Sequence, residues 1–254
     1  MRNKSLSDRY GLLVIAFIFI SVFFFSCKKD SVSTQQAQLT EETSDASVFR
    51  SVENGNNKLI LRPGPKNGQD VYLDKLDGQI SNNENYVAEL PIVEWTVNGV
   101  PYHERTFIKF KDISLLPTNA QIVSAKLYLY GMSSSLNSPQ GNSYYPGSPY
   151  NIYGDNSCWV QQVIGGDWDE ATLTYDNQPT ITSVDQASLT ASTSQWNYNA
   201  VVNVTAIVKK MVANPSANYG FCIKLKTEQK YRSIIFASSE ATDRNLRPRL
   251  VITF

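Results

Sequence analysis

The chain has 254 residues, and its 23 basic and 23 acidic side chains give a formal net charge of zero. Without an excess of Lys and Arg there is no basic stripe to hold phosphates, which argues against the nucleic-acid-binding class. Hydrophobic residues make up 42% and aromatic residues 11% of the chain. Those fractions are enough for a packed core, which excludes a chain that is disordered throughout.

The first 27 residues have the organisation of a secretion signal. Three basic residues precede an apolar stretch from residue 12 to residue 25, and Ser26 and Cys27 follow it. The stretch is shorter than the about 20 residues that a membrane span needs. The cysteine at its end resembles a bacterial lipobox, in which the thiol is acylated and becomes the new N-terminus. We therefore predict a lipoprotein signal peptide over residues 1–27 with lipidation at Cys27; the alternatives are an uncleaved anchor and an ordinary signal peptide.

The residues after Cys27 predict where the protein is located. Lys28, Lys29 and Asp30 resemble the surface-export tag of Bacteroidetes lipoproteins, which implies a lipid-anchored outer-membrane protein exposed at the cell surface. Residues 28–56 are mostly polar and lack periodicity, so we predict a flexible linker that lets the anchored domain stand clear of the membrane.

From residue 57 to residue 254 the chain alternates short strand-like segments with turn signals. Asn98 and Gly99 form a two-residue hairpin signal, because both positions tolerate a positive φ. Apolar residues alternate with polar ones in several segments, notably residues 125–129, 221–225 and 250–254. A single helix is predicted from Thr205, as its cap, to Asn214. These elements predict an all-β, antiparallel, jelly-roll-like β-sandwich with one short helix.

Several sequence blocks resemble the DNRLRE-type domains, the group that includes carbohydrate-binding module family 96. Asp243, Leu246 and Arg247 match the signature, although Arg244 and Asn245 are transposed and Pro248 replaces a glutamate. Other blocks in the family's order are residues 105–110, 122–130, 168–170 with 174–179, 204–208 and 220–221. Tyr175 stands where the family usually has tryptophan. The resemblance runs from about residue 70 to residue 254 and implies an extracellular β-sandwich that accompanies polysaccharide chemistry.

No arrangement of residues marks a catalytic site, and we predict that the protein is not an enzyme. The single histidine, His103, has no nucleophile beside it in the sequence, so a surface histidine is the simpler interpretation. Asp167, Asp169 and Glu170 could suggest glycoside hydrolysis, but carboxylates adjacent in sequence rarely flank a substrate bond. Within the resemblance, Trp168 and Glu170 have structural roles, as a core anchor and as an acceptor for backbone donors or a partner for arginine.

The sequence predicts no cofactor but leaves a structural calcium ion open. Asp70, Asp74, Asp77 and Glu84 lie near the start of the domain, and carboxylates are calcium ligands. Their spacing matches no compact loop motif, so the metal ligands stay unknown. Zinc is poorly supported, because one histidine and scattered cysteines provide no ligand pair at a useful spacing.

Cys158 and Cys222 remain when Cys27 is assigned to the lipid. An even number of cysteines outside the cytoplasm favours pairing, and Cys222 falls on the polar phase of its strand. We therefore expect a disulfide between them; the alternative is two separate thiols.

Aromatic residues near turns and loops are the candidates for binding carbohydrate, because sugar rings stack their C–H faces on Trp and Tyr. The best candidate is the polar loop from residue 136 to residue 150, since a long ordered loop on a rigid sandwich often carries function. The alternative for each residue is burial in the core. The six candidates are Trp95, Tyr144, Tyr145, Tyr150, Trp196 and Tyr198.

These observations favour a non-catalytic glycan-binding lipoprotein at the cell surface, with polysaccharide as its partner. One alternative is a structural or adhesive surface protein that binds a protein partner. A polysaccharide lyase or hydrolase is a third. The glycan, the protein partners and the oligomeric state cannot be derived from one chain.

The lipid anchor can be tested by replacing Cys27. We expect Cys27→Ala to release the protein from membranes or to block its processing, because the acylated thiol would be lost. Membrane partition and the mass of the mature protein measure this. Unchanged values for both would contradict the prediction.

Overall fold

The computed structural model describes residues 47–254, so the predicted signal peptide, Cys27 and most of the predicted linker lie outside the described residues. Within this part the chain forms thirteen strands and one α-helix. They are β1 (Val48–Glu53), β2 (Asn56–Leu61), β3 (Asp70–Leu76), β4 (Asn82–Glu84), β5 (Glu89–Val97), β6 (Val100–Ile108), β7 (Ser124–Leu129), β8 (Cys158–Val163), β9 (Ile181–Leu189), β10 (Ala200–Asn203), α1 (Thr205–Ala213), β11 (Phe221–Leu225), β12 (Arg232–Ala237) and β13 (Arg249–Thr253).

The strands form two sheets in which every pair is antiparallel. Sheet A has the order β1-β2-β13-β7-β10. Sheet B has the order β12-β5-β6-β11-β8-β9, with β3 on β6 and β4 on β3. The predicted hairpin is confirmed: Val97 pairs with Val100, and Asn98 and Gly99 have φ of 51° and 85°. The all-β sandwich predicted from the sequence is the observed fold.

The main core lies where the two sheets face each other. Alternate residues of β7 and β13, among them Leu127, Leu250 and Ile252, are fully buried. Phe221 and Phe236 meet them from sheet B. Burial of each such side chain stabilises the fold by about 1.5–3 kcal/mol.

The helix α1 closes the core and follows the prediction, with one difference. Ile207, Val208, Met211 and Val212 are its buried residues. Thr205 is not the cap, because its hydroxyl bonds to the Asn203 side chain and to the backbone of residue 125. No helix in residues 47–254 is long and apolar enough to span a membrane.

A second, smaller core lies on the other face of sheet B. Trp168 packs there with an exposure of 7%, edge-on to Phe107 at 5.9 Å between ring centroids. Its indole Nε1 donates to the Tyr219 carbonyl at 2.7 Å. The anchoring role that the family resemblance implied for Trp168 is thus observed, and it holds the loop between β8 and β9 on sheet B.

The predicted boundary between linker and domain at residue 57 is wrong. Residues Val48–Glu53 form β1, which pairs with β2 along its whole length from Val48↔Leu61 to Glu53↔Asn56. The tight turn at Asn54 and Gly55, with φ of 50° and 78°, reverses the chain between them. No residue of β1 is fully buried, so the segment lacks the strict alternation that would distinguish a strand from a linker.

The predicted disulfide is also wrong, because Cys158 and Cys222 are both free and fully buried. They lie on neighbouring strands, where Cys158 pairs with Leu225 and Cys222 pairs with Gln161. An offset of three residues places the two side chains on opposite faces of the sheet. Cys158 accordingly belongs to the main core and Cys222 to the second core.

We expect both thiols to react only after unfolding. Burial raises the pKa of Cys222 to about 12 and raises that of Cys158 further, so little thiolate forms at neutral pH. Alkylation in denaturant without a reductant should modify both residues, whereas alkylation of the native protein should modify neither. A mass spectrum with two protons missing and no alkylation in denaturant would contradict this.

Candidate functional site

Four aromatic side chains from three segments form one cluster at the surface. The ring of Trp95, at the end of β5, lies edge-on to Tyr150 at 4.8 Å and to Tyr231 at 5.2 Å. Tyr153 contacts Tyr231 at 4.6 Å. Tyr153 is 41% exposed, and the other three are half-buried. We call these four residues the aromatic cluster.

Hydrogen bonds from Arg232 connect the loop that carries Tyr150 and Tyr153 to the loop that carries Tyr231. Arg232 is 8% exposed, and its guanidinium donates to the carbonyls of Tyr153, Asp155 and Gln229. The backbone of Tyr231 has a φ of 68°, a conformation that non-glycine residues adopt only where the surroundings impose it. The cluster is therefore fixed by buried hydrogen bonds rather than by the aromatic contacts alone.

Two of the six predicted residues are brought together: Trp95, near the hairpin turn, and Tyr150, at the end of the predicted loop. The sequence pattern did not indicate Tyr153 or Tyr231. Tyr153 lies one turn beyond residue 150, where the predicted loop ends, and it is the last residue of a short 3₁₀ turn, Asn151–Tyr153. Tyr231 directly precedes β12, so only the tertiary fold brings it to the loop.

The other predicted aromatic residues lie outside the cluster's ring contacts. Tyr198 packs on Phe236 of the core at 6.3 Å between ring centroids and bonds through its hydroxyl to Thr190 at 2.8 Å.

Trp196 is half-buried and lies against the backbone of Gly141. Tyr144 is 37% exposed. Tyr145 is half-buried, and its backbone is bonded by the Asn151 side chain. Their proposed roles in sugar binding stay predictions.

On the outer face of sheet B, Arg105 organises a polar network. It donates twice to Glu228, at 2.8 and 3.0 Å, and once to Gln178 at 2.8 Å. Its guanidinium also lies over the Tyr175 ring at 5.1 Å. These bonds, with a charge-assisted bond from Lys224, hold the pKa of Glu228 below its usual value despite burial. Two blocks that carry the family resemblance thus meet here, and their contact attaches the loop to the sheet.

His103 is less exposed than a surface histidine would be. Its side chain is 25% exposed and lies between Glu94, at 2.7 Å from Nδ1, and Asp77, at 3.2 Å from Nε2. Burial raises the pKa of Glu94, and the contact with His103 opposes the rise. The Tyr175 ring is 6.0 Å away, and burial raises the pKa of its hydroxyl to about 12. A tyrosine of that pKa is a poor general base at neutral pH.

The carboxylates near Trp168 form hydrogen bonds to Lys109 and to nearby backbone N–H groups. Asp167 bonds to Lys109 at 2.5 Å and to the Trp168 backbone N–H at 2.9 Å. Asp169 accepts from the backbone N–H of residue 171. Glu170 accepts from the backbone N–H of Asp70, as the resemblance implied. These contacts give the three carboxylates a structural use.

The four residues considered for calcium do not converge. Asp70 bonds to Ser239, Asp74 bonds to Tyr102, and Asp77 bonds to His103. The described residues that do converge are Asp70, Glu170 and Glu240, whose oxygens lie within 4.8 Å of one another. Burial and the neighbouring Glu240 raise the pKa of Asp70, and burial raises that of Glu170 to about 7. Carboxylate oxygens are calcium donors, and the ion itself stays a prediction.

The comparisons with known proteins agree with the geometry of the fold. Residues 69–254 match the family described as carbohydrate-binding module family 96. The matched range begins in the loop before β3 and runs to the last residue, so it includes all of sheet B. No curated protein matches the chain.

Close to Trp95, a buried carboxyl group lies at the cross-strand pair of Asp74 and Glu104. Glu104 is 1% exposed, and its Oε1 accepts from the Tyr102 hydroxyl at 2.9 Å, which is also 3.2 Å from Asp74. Its Oε2 has no hydrogen-bond partner among the described residues. Burial, together with the nearby carboxylates of Asp74, Glu89 and Glu84, raises the pKa of Glu104 to about 8, although the hydrogen bond from Tyr102 opposes the rise.

We expect Glu104 to make the fold less stable as the pH rises. The folded pKa of about 8 exceeds the ordinary 4.5, so this contribution is fully present below pH 4.5 and is lost as the pH rises through 8. Glu104→Gln should therefore raise the free energy of unfolding at pH 8 by up to about 4 kcal/mol and change it little at pH 4.5. Urea unfolding at the two pH values measures this.

Glu228→Gln is the matched control, because the pKa of Glu228 is lowered rather than raised. It should destabilise the fold at pH 8, since the contact with Arg105 is weakened. If Glu104→Gln were destabilising at pH 8, Glu104 would be ionised in the folded protein and the interpretation would be wrong.

Proposed function

The chain belongs to carbohydrate-binding module family 96, and we propose that it is a non-catalytic glycan-binding lipoprotein, anchored through Cys27 and exposed at the cell surface. Family membership supports the general activity, which is carbohydrate binding without cleavage. The glycan site and the anchor belong to the proposal.

The observation that carries the proposal is the aromatic cluster. Rings of Trp95, Tyr150, Tyr153 and Tyr231 from three segments meet at the surface. A sugar ring presents apolar C–H faces that stack on such rings. The cluster is also fixed in advance by Arg232, which lowers the entropy lost when a ligand binds.

The hydrogen bonds of the carboxylates support the non-catalytic part of the proposal. A glycosidase needs two carboxyl groups facing each other across a substrate bond. Asp167, Asp169 and Glu170 instead bond to Lys109 and to backbone groups of their own surroundings. Together with the family's character as a binding module, this favours binding over cleavage.

The glycan site is tested with a panel of neutral and acidic polysaccharides, measured by native gel retardation and by release of reducing ends. Tyr153→Ala should weaken binding by about tenfold or more, which corresponds to ~1.4 kcal/mol, because a stacking surface is lost. Trp95→Ala should have at least the same effect. No reducing ends or unsaturated products should appear.

Tyr86→Ala is the control, since Tyr86 is 67% exposed and makes no ring contact with the cluster. Equal weakening by Tyr86→Ala and Tyr153→Ala would reject the cluster as the site. The double variant Tyr144→Ala with Tyr145→Ala measures how far the surface extends along the loop. If no glycan in the panel binds, the structural or adhesive function replaces the proposal, and accumulating product would overturn its non-catalytic part.

A further inference from the structure

Charge is divided unequally between the two sheets. The strands of sheet A carry four basic residues and one acidic residue, Glu53. The strands of sheet B carry seven acidic and four basic residues. The chain as a whole is neutral, so its total charge gives no indication of the excess of basic residues on the strands of sheet A.

Three of the four basic groups of sheet A lie on its outward face, whereas Arg50 pairs with the buried Leu59 and so lies on the other side of the sheet. Lys58, Lys126 and Arg249 alternate with fully buried neighbours along β2, β7 and β13. The register places Arg249 opposite Tyr128, and Tyr128 opposite Val201 on β10. We call this surface the basic face.

Two of these charges are available to a ligand. Lys126 and Arg249 form no ion pair with any residue that the structure describes. The Arg249 guanidinium lies 4.3 Å from the Tyr128 ring centroid, which holds it in place without neutralising its charge. Lys58 is paired with Glu53.

We propose that the basic face docks on the anionic lipid headgroups of the membrane that holds the anchor, and this rests on the anchor in the proposed function. An anionic membrane surface attracts Lys and Arg within about one Debye length, ~8 Å in physiological salt. Val201, 57% exposed, adds an apolar side chain beside the charges. Docking orients the domain, because Trp95 on β5 and Tyr231 directly before β12 belong to the opposite sheet, and they hold the cluster's other two rings, which come from the loop between β7 and β8.

Two features favour a membrane over an acidic polysaccharide as the occupant. The Arg249 guanidinium covers a face of Tyr128, so that face is not open for a sugar to stack on. The chain also enters the domain at β1, the edge strand of this same sheet, and the proposed anchor precedes β1 in the sequence. The proposed tether therefore joins the domain at an edge of sheet A.

The test uses the full-length acylated protein in vesicles with an environment-sensitive fluorophore on one introduced cysteine. Val201→Cys reports on the basic face. Val184→Cys on β9 of sheet B is the matched control, since the two valines are 57% and 59% exposed. Cys158 and Cys222 are fully buried and do not compete for the label.

We expect emission at position 201 to rise about twofold when phosphatidylglycerol is added to phosphatidylcholine vesicles, because the face then meets an anionic surface. Position 184 should not respond. Salt at about 1 M, where the Debye length is about 3 Å, should reverse the rise. Equal emission in both vesicles, a rise at position 184 alone, or a rise that persists in high salt would overturn the proposal.

Charge reversal provides the second arm. Lys126→Glu with Arg249→Glu should abolish the rise, whereas Lys209→Glu with Lys230→Glu, which makes the same change in net charge elsewhere, should leave it. Lys126→Glu alone, at an exposed position, should reduce the rise even if the double variant does not fold. An unchanged rise in Lys126→Glu would overturn the proposal.

Failure of the anchor is distinguished by flotation. Without an anchor the protein would not float with phosphatidylcholine vesicles, yet the basic face would still bind it to vesicles that contain phosphatidylglycerol. If an acidic polysaccharide changes the emission at position 201 without vesicles, and phosphatidylglycerol does not, the face is a glycan site and the membrane proposal is wrong.

Discussion

The hydrogen bonds between β12 and the loop that follows β7 hold the candidate site in place. The Ser143 backbone N–H donates to the Ser233 carbonyl at 2.9 Å, and Asn156 donates to the same carbonyl at 2.6 Å. The Asn142 side chain accepts from the backbone N–H of Ile235 at 2.9 Å. An exposed strand edge would leave these groups to solvent or to another chain. Because the loop occupies the edge, its remaining residues are fixed as well, and Tyr150 and Tyr153 lie at a defined position against Trp95.

The same loop explains why a polar, glycine-rich segment is ordered. Ser143 and Asn156 are fully buried and Asn142 is 2% exposed, a level that polar residues reach only when their hydrogen bonds are satisfied. A buried side-chain amide that lost its partner would cost about 1–3 kcal/mol. The loop therefore has one favourable conformation, and its surface residues can act as a rigid binding surface rather than a flexible one.

The residues that carry the family resemblance serve packing more than recognition. Arg105 and Tyr175 come from separate blocks and contact each other on sheet B, and Trp168 anchors the intervening loop in the second core. None of the four residues of the aromatic cluster belongs to these blocks. This separation fits the general rule that binding residues lie on loops that a rigid scaffold positions.

Buried carboxyl groups also have more than one function in this domain. The contact with Arg105 lowers the pKa of Glu228, whereas burial and the neighbouring carboxylates raise that of Glu104 to about 8. The Asp70 carboxylate accepts a hydrogen bond from the Ser239 hydroxyl, and burial and the neighbouring Glu240 raise its pKa. Composition alone cannot distinguish these cases, because the neighbours that set each pKa come from distant strands.

The sequence by itself determined the class of fold and several of its strands. Alternation with period two is a local property, so it predicted the inward residues of β7, β11 and β13, and the positive φ allowed at Asn98 and Gly99 predicted the hairpin. The helix was found for the same reason, since its apolar stripe recurs within a few residues.

Only the tertiary structure decided what depends on register and on which side a strand faces. An offset of three residues between paired strands puts Cys158 and Cys222 on opposite faces, and no count of cysteines contains that offset. Tyr231 joins Trp95 because β12 pairs with β5, a contact between residues far apart in the chain. The division of charge between the sheets likewise needs the strand order. The local alternation of apolar and polar residues identifies a strand that has a buried face. The pairing of strands then determines which side chains of different strands meet.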